Sequence, residues 1–209
     1  MKKVVVVCAA VLTLAGFAAA PAAAAVDFTF GVKGGVSLSN VKWSDDDGGE
    51  KTLVRPTFGV LAVINLSPTL AIQPELSYLT MGESWMEGEE YKVVHVFNYL
   101  RIPVLIRLKL AQQGKIVPFA FAGPAFGILM SGHERVYLLG SVVDETSAKI
   151  FLKSTDFGLD FGAGAEFIVS SLKLFLDFRC CLGLANCYDY STEYTLKNNA
   201  LVLAVGALF

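Results

Sequence analysis

The feature that most constrains the fold is a strict alternation of large apolar residues with small or charged ones. In the stretch 156–167, DFGLDFGAGAEF, phenylalanine, leucine and alanine occupy the odd positions, whereas aspartate, glycine and glutamate occupy the even ones. The stretches 99–110 and 172–184 repeat this pattern. Because successive side chains point to opposite faces of a β-strand, this period of two predicts strands with two chemically different faces.

Marking every such run predicts eight strands joined by connections that alternate between short and long. The strands lie near residues 28–40, 55–66, 70–81, 93–110, 116–131, 155–169, 172–186 and 198–209. Short turns follow the second, fourth and sixth strands, and the longer loops lie near 41–54, 82–92, 132–154 and 187–197. This alternation with an even strand count is typical of an up-and-down outer-membrane barrel with its short turns and both termini on the periplasmic side.

Composition narrows the fold class further. Hydrophobic residues make up 54% of the chain and charged residues 17%, whereas a typical soluble domain has about 25% charged residues. Past residue 25 no apolar run reaches the roughly 18 residues that a spanning helix needs. Only helices and closed barrels satisfy all backbone hydrogen bonds in lipid. The chain is therefore a membrane barrel or a soluble β protein with a large core.

The polar face of the strands separates these two alternatives. It carries glycines such as Gly158, Gly162, Gly164 and Gly206 and several alanines, not the abundant lysine, glutamate, threonine and serine of a solvated sheet. Small residues suit the crowded interior of an eight-stranded barrel, so the large apolar residues face lipid. We therefore predict an all-β protein, an eight-stranded antiparallel up-and-down transmembrane β-barrel over residues 26–209.

Prolines are the one feature that fits a closed barrel poorly, because a barrel has no edge strand to shelter a missing N–H donor. Five of them fall inside or at the ends of the predicted strands: Pro56, Pro74, Pro103, Pro118 and Pro124. We expect bulges or locally open strand pairing at these positions.

The first 25 residues have the pattern of a secretory signal. Lys2 and Lys3 precede an apolar stretch, and small residues at 23–25 form a cleavage site. We expect cleavage between Ala25 and Val26 and export of the mature chain to the outer membrane. An uncleaved anchor helix is the alternative. The net charge of −2 provides no basic surface, so nucleic acid is not an expected partner.

A set of charged residues falls on the lumen face of the predicted barrel. Its members are Lys33, Glu75, Arg101, Arg107, Lys109, Asp156, Asp160, Glu166, Lys173, Asp177 and Arg179. An unpaired buried charge costs several kcal/mol, so charges in a narrow lumen must pair or stay hydrated. Paired charges would form an ionic plug, which we favour, and hydrated charges would line a narrow porin-like channel for small solutes or ions.

The four long loops are acidic. They hold 13 of the 19 acidic residues and seven basic ones, and the acidic set is Asp45, Asp46, Asp47, Glu50, Glu83, Glu87, Glu89, Glu90, Glu134, Asp144, Glu145, Asp189 and Glu193. We hypothesise that this rim gathers divalent cations at a lipopolysaccharide surface or repels anionic solutes. The leading interpretation is a structural or interaction protein that acts through these loops on outer-membrane lipid, lipopolysaccharide or an extracellular or envelope partner.

A search for catalytic chemistry finds little. His95 and His133 are the only histidines, and neither has a histidine, cysteine or carboxylate at the spacing of a metal site. The Gly-x-Ser-x-Gly elbow of serine hydrolases is missing from the sequence. We therefore predict no catalytic residue, metal or cofactor. A barrel enzyme that uses His133 with loop partners is the weaker alternative.

Several segments together resemble the outer-membrane β-barrel domain family of Gram-negative bacteria, the small porin-like group. The matching pieces are Gly31-Val32-Lys33-Gly34-Gly35, Pro74-Glu75-Leu76-Ser77-Tyr78, Tyr99-Leu100-Arg101-Ile102-Pro103, Gly123-Pro124, Phe157-Gly158-Leu159, Gly162-Ala163-Gly164 and Arg179 with Gly183-Leu184. The resemblance implies insertion by the outer-membrane assembly machinery, which in such families reads a terminal aromatic, here Phe209. The family often has glutamate where Arg101 stands and tyrosine where Cys180 stands, so the partner of Arg101 does not carry over.

Overall fold

A computed structural model describes residues 27–43, 51–87, 90–110, 114–170, 172–189 and 194–209. The predicted signal segment with Ala25 and Val26 lies outside these ranges, as do six residues of the predicted acidic set: Asp45, Asp46, Asp47, Glu50, Glu89 and Glu193. Across the described ranges, no helix has the length and apolar character needed to cross a membrane.

Nine antiparallel strands make up the described fold. They are β1 (Asp27–Trp43), β2 (Lys51–Asn65), β3 (Leu70–Glu87), β4 (Tyr91–Lys109), β5 (Ile116–Leu138), β6 (Ser141–Ser147), β7 (Thr155–Val169), β8 (Leu172–Gly183) and β9 (Leu196–Leu208). Eight of them close a barrel, since β1 pairs with both β2 and β9 and β4 pairs with β5. The predicted eight-stranded antiparallel barrel is confirmed.

The two ends of the barrel differ. The connections 66–69, 110–115 and 170–171 lie at one end, together with the start of β1 and the end of β9. We call this the short-turn end. The longer connections lie at the opposite, long-loop end. There β3, β4 and β5 run several residues beyond the predicted strand ends.

Strand β6 is an addition to the predicted topology. The sequence analysis assigned residues 132–154 to a loop, whereas β5 continues to Leu138 and folds back as β6 through Leu139 and Gly140. Both turn residues have positive φ, 50° for Leu139 and 82° for Gly140, as a tight two-residue hairpin requires. A leucine in the first turn position is an uncommon hairpin signal, which explains why the pattern was missed.

The two faces of the barrel wall have the predicted chemistry. Phe157, Leu159 and Phe161 of β7 are exposed on the outer face, whereas Asp156 and Asp160 are buried inside. Strand β9 follows the same rule. Its exposed residues are Leu201, Leu203 and Val205, and its buried ones are Asn198, Ala200, Val202 and Ala204. Large apolar side chains on the outside contact lipid, and small residues or paired charged residues fill the lumen.

Pro56 coincides with a local opening of the ladder, as expected, whereas Pro118 pairs with Ala165 in the uninterrupted register of β5 and β7. Between Thr52 and Phe58, where Pro56 lies, the register of β2 against β3 shifts by one residue. Hydroxyl groups of β1 cross this opening, since Ser37 Oγ donates to the Thr80 carbonyl at 3.0 Å and Ser39 Oγ to the Gly82 carbonyl at 3.0 Å. Side-chain donors thus satisfy backbone acceptors that the ladder leaves unpaired.

Candidate functional site

A bidentate ion pair lies at the centre of the lumen. Arg179 Nη1 and Nη2 each donate to a different carboxylate oxygen of Glu75 at 2.8 Å. Lys33 Nζ donates to Glu75 Oε2 at 2.7 Å and Gln73 Nε2 to Glu75 Oε1 at 2.6 Å. All four residues are buried. Charge-assisted bonds with this geometry are among the strongest in proteins, so Glu75 anchors β3 to β1 and β8.

Two further arginines extend the network towards opposite ends of the barrel. Arg101 Nη2 donates to Asp160 Oδ1 at 2.7 Å, and Arg107 Nη2 donates to Glu166 Oε1 at 2.6 Å. Arg107 Nη1 also donates to Gln73 Oε1 at 2.7 Å. The side chains of Arg101 and Arg107 are only 2% and 0% exposed, so their charges are balanced by protein groups and not by bulk water.

Two aspartates complete the network. Asp177 lies 3.3 Å from Arg179 Nη2 and 3.9 Å from Lys33 Nζ. Asp156 lies 3.8 Å from Arg101 Nη1 and accepts a hydrogen bond from Asn198 Nδ2 at 3.3 Å. The structure therefore brings nine of the eleven predicted lumen charges into one cluster. We call it the lumen network: Lys33, Glu75, Arg101, Arg107, Asp156, Asp160, Glu166, Asp177 and Arg179.

The other two predicted lumen charges lie apart from this cluster. Lys109 and Lys173 are half-buried at the short-turn end. Lys109 Nζ donates to Asn65 Oδ1 at 2.7 Å instead of to a carboxylate. A residue on the lumen face therefore does not always belong to the lumen network. Lys109 and Lys173 stay apart from it because they lie near the end of the barrel.

Apolar side chains close the lumen on both sides of the lumen network. Towards the short-turn end, the buried apolar residues are Leu61, Val63, Ala71, Leu105, Phe119, Phe121, Phe175 and Leu208. Towards the long-loop end, a larger cluster includes Leu79, Met81, Phe97, Tyr99, Leu129, Leu152, Cys187 and Leu196. The Arg107 guanidinium lies 3.5 Å from the centre of the Phe119 ring, a cation–π contact that joins the ionic and apolar layers.

Very little space remains inside the network. The cavity beside Arg101, Arg179 and Ser77 has a volume of about 20 Å³, which is about the room that one water needs. Neutral partners that the sequence analysis did not single out fill the rest. Gln73 bridges Glu75 to Arg107, and Asn198 contacts Asp156. Alternation placed these amides on the lumen face, but only the pairing of strands brings them to the charges.

A second polar cluster lies at the long-loop end. His95 of β4 sits between two carboxylates, with Nδ1 at 3.2 Å from Glu83 Oε1 of β3 and Nε2 at 2.8 Å from Glu134 Oε2 of β5. Burial lowers the pKa of His95, but its hydrogen bonds to Glu83 and Glu134 outweigh burial and raise this pKa above its ordinary value. Sequence spacing concealed this cluster, because its members come from three strands.

His133 has a different environment. Its Nδ1 lies 3.4 Å from Glu145 Oε1, which also accepts from Arg135 Nη2 at 3.2 Å. Among the residues that the structure describes, no serine, threonine or cysteine side chain hydrogen-bonds to His133, so the geometry supplies no activated nucleophile there. Neither does any group of three histidine, cysteine or acidic residues in those ranges have the arrangement of a metal site.

Phe209 closes the wall of the barrel at the short-turn end. Its backbone N–H donates to the Phe30 carbonyl at 2.8 Å and its carbonyl accepts from the Phe30 N–H at 3.1 Å. Its side chain is exposed on the outer face, as the alternation of β9 predicts. The backbone of Phe209 thus contributes to closure, while its ring is free to contact lipid or another protein.

A closed antiparallel barrel with an apolar outer face and a charged interior defines an integral outer-membrane β-barrel protein. Comparison with protein families agrees. The sequence-family model described as the outer membrane protein beta-barrel domain matches residues 21–189. The chain therefore belongs to this family.

Comparison with solved structures finds matches of low sequence identity and modest TM-score. Ail, the attachment invasion locus protein of Yersinia pestis, was solved in complex with the heparin analogue sucrose octasulfate. It is 12% identical, with a TM-score of 0.45 over 88% of this chain and 99% of that one. Neisserial surface protein A is 13% identical, with a TM-score of 0.45 and coverage of 85% and 95%. AlkL is 12% identical, with a TM-score of 0.38 and coverage of 91% and 95%. No curated protein matches the chain.

Proposed function

We propose that this protein is a non-conducting barrel of the outer membrane that acts through its long-loop end as a structural or interaction protein. The observation that carries this proposal is the layering of the lumen. The ionic lumen network is enclosed between two apolar layers. An ion that crosses the barrel would have to lose its hydration shell in each apolar layer and compete with paired charges in the middle.

The alternative of a narrow porin needs a continuous hydrated path. The charges that such a path would use are already paired, with donor–acceptor distances of 2.6–2.8 Å between Arg107 and Glu166, Arg101 and Asp160, and Arg179 and Glu75. The cavity beside Arg101, Asp160 and Arg179 has a volume of about 20 Å³. Close pairing and this small volume both support a plug.

Planar-bilayer recordings of the purified, refolded protein test this proposal. We expect a silent membrane over a wide range of voltage and salt, with a known porin in the same lipid as the positive control. Discrete conductance steps that scale with the amount of this protein would overturn the plug and favour the porin.

The orientation in the membrane is part of the proposal. We place the long-loop end outside the cell and the short-turn end with both termini in the periplasm, after cleavage between Ala25 and Val26. The alternation of short and long connections supports this. A membrane-impermeant maleimide on intact cells should label Ser141→Cys in exposed β6 but not Ser67→Cys in a short turn. Labelling of Ser67→Cys alone would show that the orientation is the opposite one. N-terminal sequencing of the mature protein determines the cleavage site.

We assign the surface role to carboxylates at the long-loop end. Glu90, Asp144, Glu145 and Asp189 are exposed there, and further acidic residues of these loops lie outside the described ranges. Such a rim attracts divalent cations, which bridge carboxylates to the phosphates of lipopolysaccharide. Changing these four residues to amides should weaken magnesium-dependent binding of lipopolysaccharide. Unchanged binding would contradict this role. The remaining interpretation would then be an interaction with an unidentified extracellular or envelope partner.

We also propose that the ring of Phe209 is read by the outer-membrane assembly machinery. The variant Phe209→Ala keeps the two backbone hydrogen bonds to Phe30 and loses only the exposed ring. We expect less folded protein in the outer membrane at unchanged synthesis and export, measured by cell fractionation. The variant Val205→Ala removes another exposed apolar side chain of β9 and is the control. Equal assembly of both variants would refute the signal.

A further inference from the structure

Two cavities at the long-loop end share His95 and Glu134 as a common wall. One has a volume of about 290 Å³ and includes Phe151 and Tyr188 in its lining, and the other has about 330 Å³ and includes Trp85 and Tyr91. We call the two together the mouth cleft. Each volume lies near the lower end of the range for small-molecule sites, so the cleft has room for a ligand of modest size.

The mouth cleft is negatively charged. Glu83 and Glu134 line it, and among the described lining residues there is no lysine or arginine. The two nearby lysines of the β6–β7 connection are engaged elsewhere, since Lys149 Nζ donates to the Met130 carbonyl at 3.3 Å and Lys153 Nζ to the Asn186 carbonyl at 3.1 Å. An anionic ligand would therefore be repelled by the two carboxylates, whereas a cation would meet opposite charge there.

Aromatic rings supply the second element of recognition. The rings of Trp85 and Tyr91 stand edge to face, with centroids 6.0 Å apart and planes at 84°, and both border the cavity that contains the two carboxylates. Aromatic faces attract cations, and substituted ammonium groups in particular bind between such rings. Phe151 and Tyr188 provide an apolar wall on the other side of His95.

We propose that the mouth cleft binds a small organic cation, whose alkylammonium group lies near Glu134 and the rings of Trp85 and Tyr91. This inference rests on the proposed function only in placing the long-loop end where a solute outside the cell reaches it. Binding by the purified protein does not depend on whether the lumen conducts.

The position of His95 beside the proposed cation site makes cation binding depend on pH. The titratable groups that contact its imidazole are Glu83 from β3 and Glu134 from β5. Tyr188, from the connection after β8, lines the same cavity as His95. A protonated imidazole and a ligand ammonium compete for the same Glu134 carboxylate. When His95 loses its proton, the charge of the His95–Glu83–Glu134 cluster changes from −1 to −2. The cleft should therefore bind a cation more tightly as the pH rises through the pKa of His95.

Binding of tetramethylammonium to the purified protein in detergent tests the proposal, with neutral tert-butanol of similar size as the ligand control. Glu134→Gln removes one charge of the cleft. Asp27→Asn is the protein control, because Asp27 is an exposed carboxylate at the short-turn end and does not line the cleft. We expect about tenfold weaker binding for Glu134→Gln and no change for Asp27→Asn.

Trp85→Leu provides a second, independent variant, since Trp85 is 41% exposed and does not belong to the buried core. It should weaken tetramethylammonium binding severalfold while the folded band in cold gel electrophoresis persists. The inference is overturned if tert-butanol binds equally well, if Glu134→Gln binds like the parent, or if the parent does not bind. If tetramethylammonium does not bind and the bilayer stays silent, only the cleft site is refuted. If tetramethylammonium binds and the protein conducts, only the plug is refuted.

Discussion

Arg179 of β8 and Glu75 of β3 form a bidentate ion pair across the lumen, although 104 residues separate them in the chain. The two strands are not neighbours in the sheet, since β2, β1 and β9 lie between them. The pair therefore ties opposite walls of the barrel together in a way that the backbone ladder does not. Its loss should affect the whole barrel instead of one hairpin.

The variant Glu75→Gln should lower the free energy of unfolding by about 3–5 kcal/mol, because it leaves Arg179 and Lys33 buried with one balancing charge removed. Urea unfolding of the protein in lipid vesicles measures this change. Arg135→Gln is the control, since it removes an ion pair to Glu145 that lies at the exposed surface. A stability of Glu75→Gln equal to that of the parent would show that the network contributes nothing net.

Close packing of β1 against β9 gives a second prediction. A Cβ atom added at Gly35 would collide with the Leu203 carbonyl and lie 2.7 Å from Ala204 Cα, both of which are rigid backbone. Gly35→Ala should therefore destabilise the barrel by about 1–3 kcal/mol or prevent its closure.

The neighbouring Gly34 is the matched control for that variant. Its added Cβ would meet only the Thr57 carbonyl, at 3.9 Å. We expect Gly34→Ala to refold in the same yield as the parent, measured as the folded fraction in cold gel electrophoresis. Equal refolding of both alanine variants would contradict the observed approach of β9 to Gly35.

The His95 cluster predicts how stability depends on pH. Because Glu83 and Glu134 raise the pKa of His95 in the folded state, the stabilisation is complete below the unfolded value of about 6.5. It is lost as the pH rises through the higher folded value. The stability difference between the parent and His95→Gln should thus be largest in mild acid and shrink in alkali, as followed by urea midpoints. A difference that is constant with pH would rule out this linkage.

Thiol reactivity provides the fourth prediction. Burial, with a further contribution from Asp156, raises the pKa of Cys187 to about 12, and Asn198 Nδ2 lies 3.2 Å from its sulfur. N-ethylmaleimide reacts with thiolates, so Cys187 should stay unmodified in the folded protein at pH 7 and react after unfolding. The partly exposed Cys180 should react first. Mass spectrometry of the labelled peptides measures the order, and early labelling of Cys187 would show that the mouth opens.

Local pattern was enough to predict the wall of the barrel. Alternation in β7 and β9 decides which side chain faces lipid, since a strand has only two faces and lipid accepts only apolar groups. It assigned Phe157 to the outside and Asp156 to the lumen, as observed, and Leu203 and Asn198 of β9 follow the same rule. The hairpin of β5 and β6 was missed because its turn, at Leu139 and Gly140, lacks the usual asparagine or aspartate signal.

What the sequence by itself determined is therefore the class of protein, the outward and inward face of each barrel strand, and the set of charges available to the lumen. Only the tertiary structure decided which charges meet, that Lys109 and Lys173 stay apart from the lumen network, and that His95 lies between Glu83 and Glu134. The physical reason is that face selection depends on the period of one strand. Ion pairing depends instead on register, closure and the layers of apolar residues, which arise only when all strands come together.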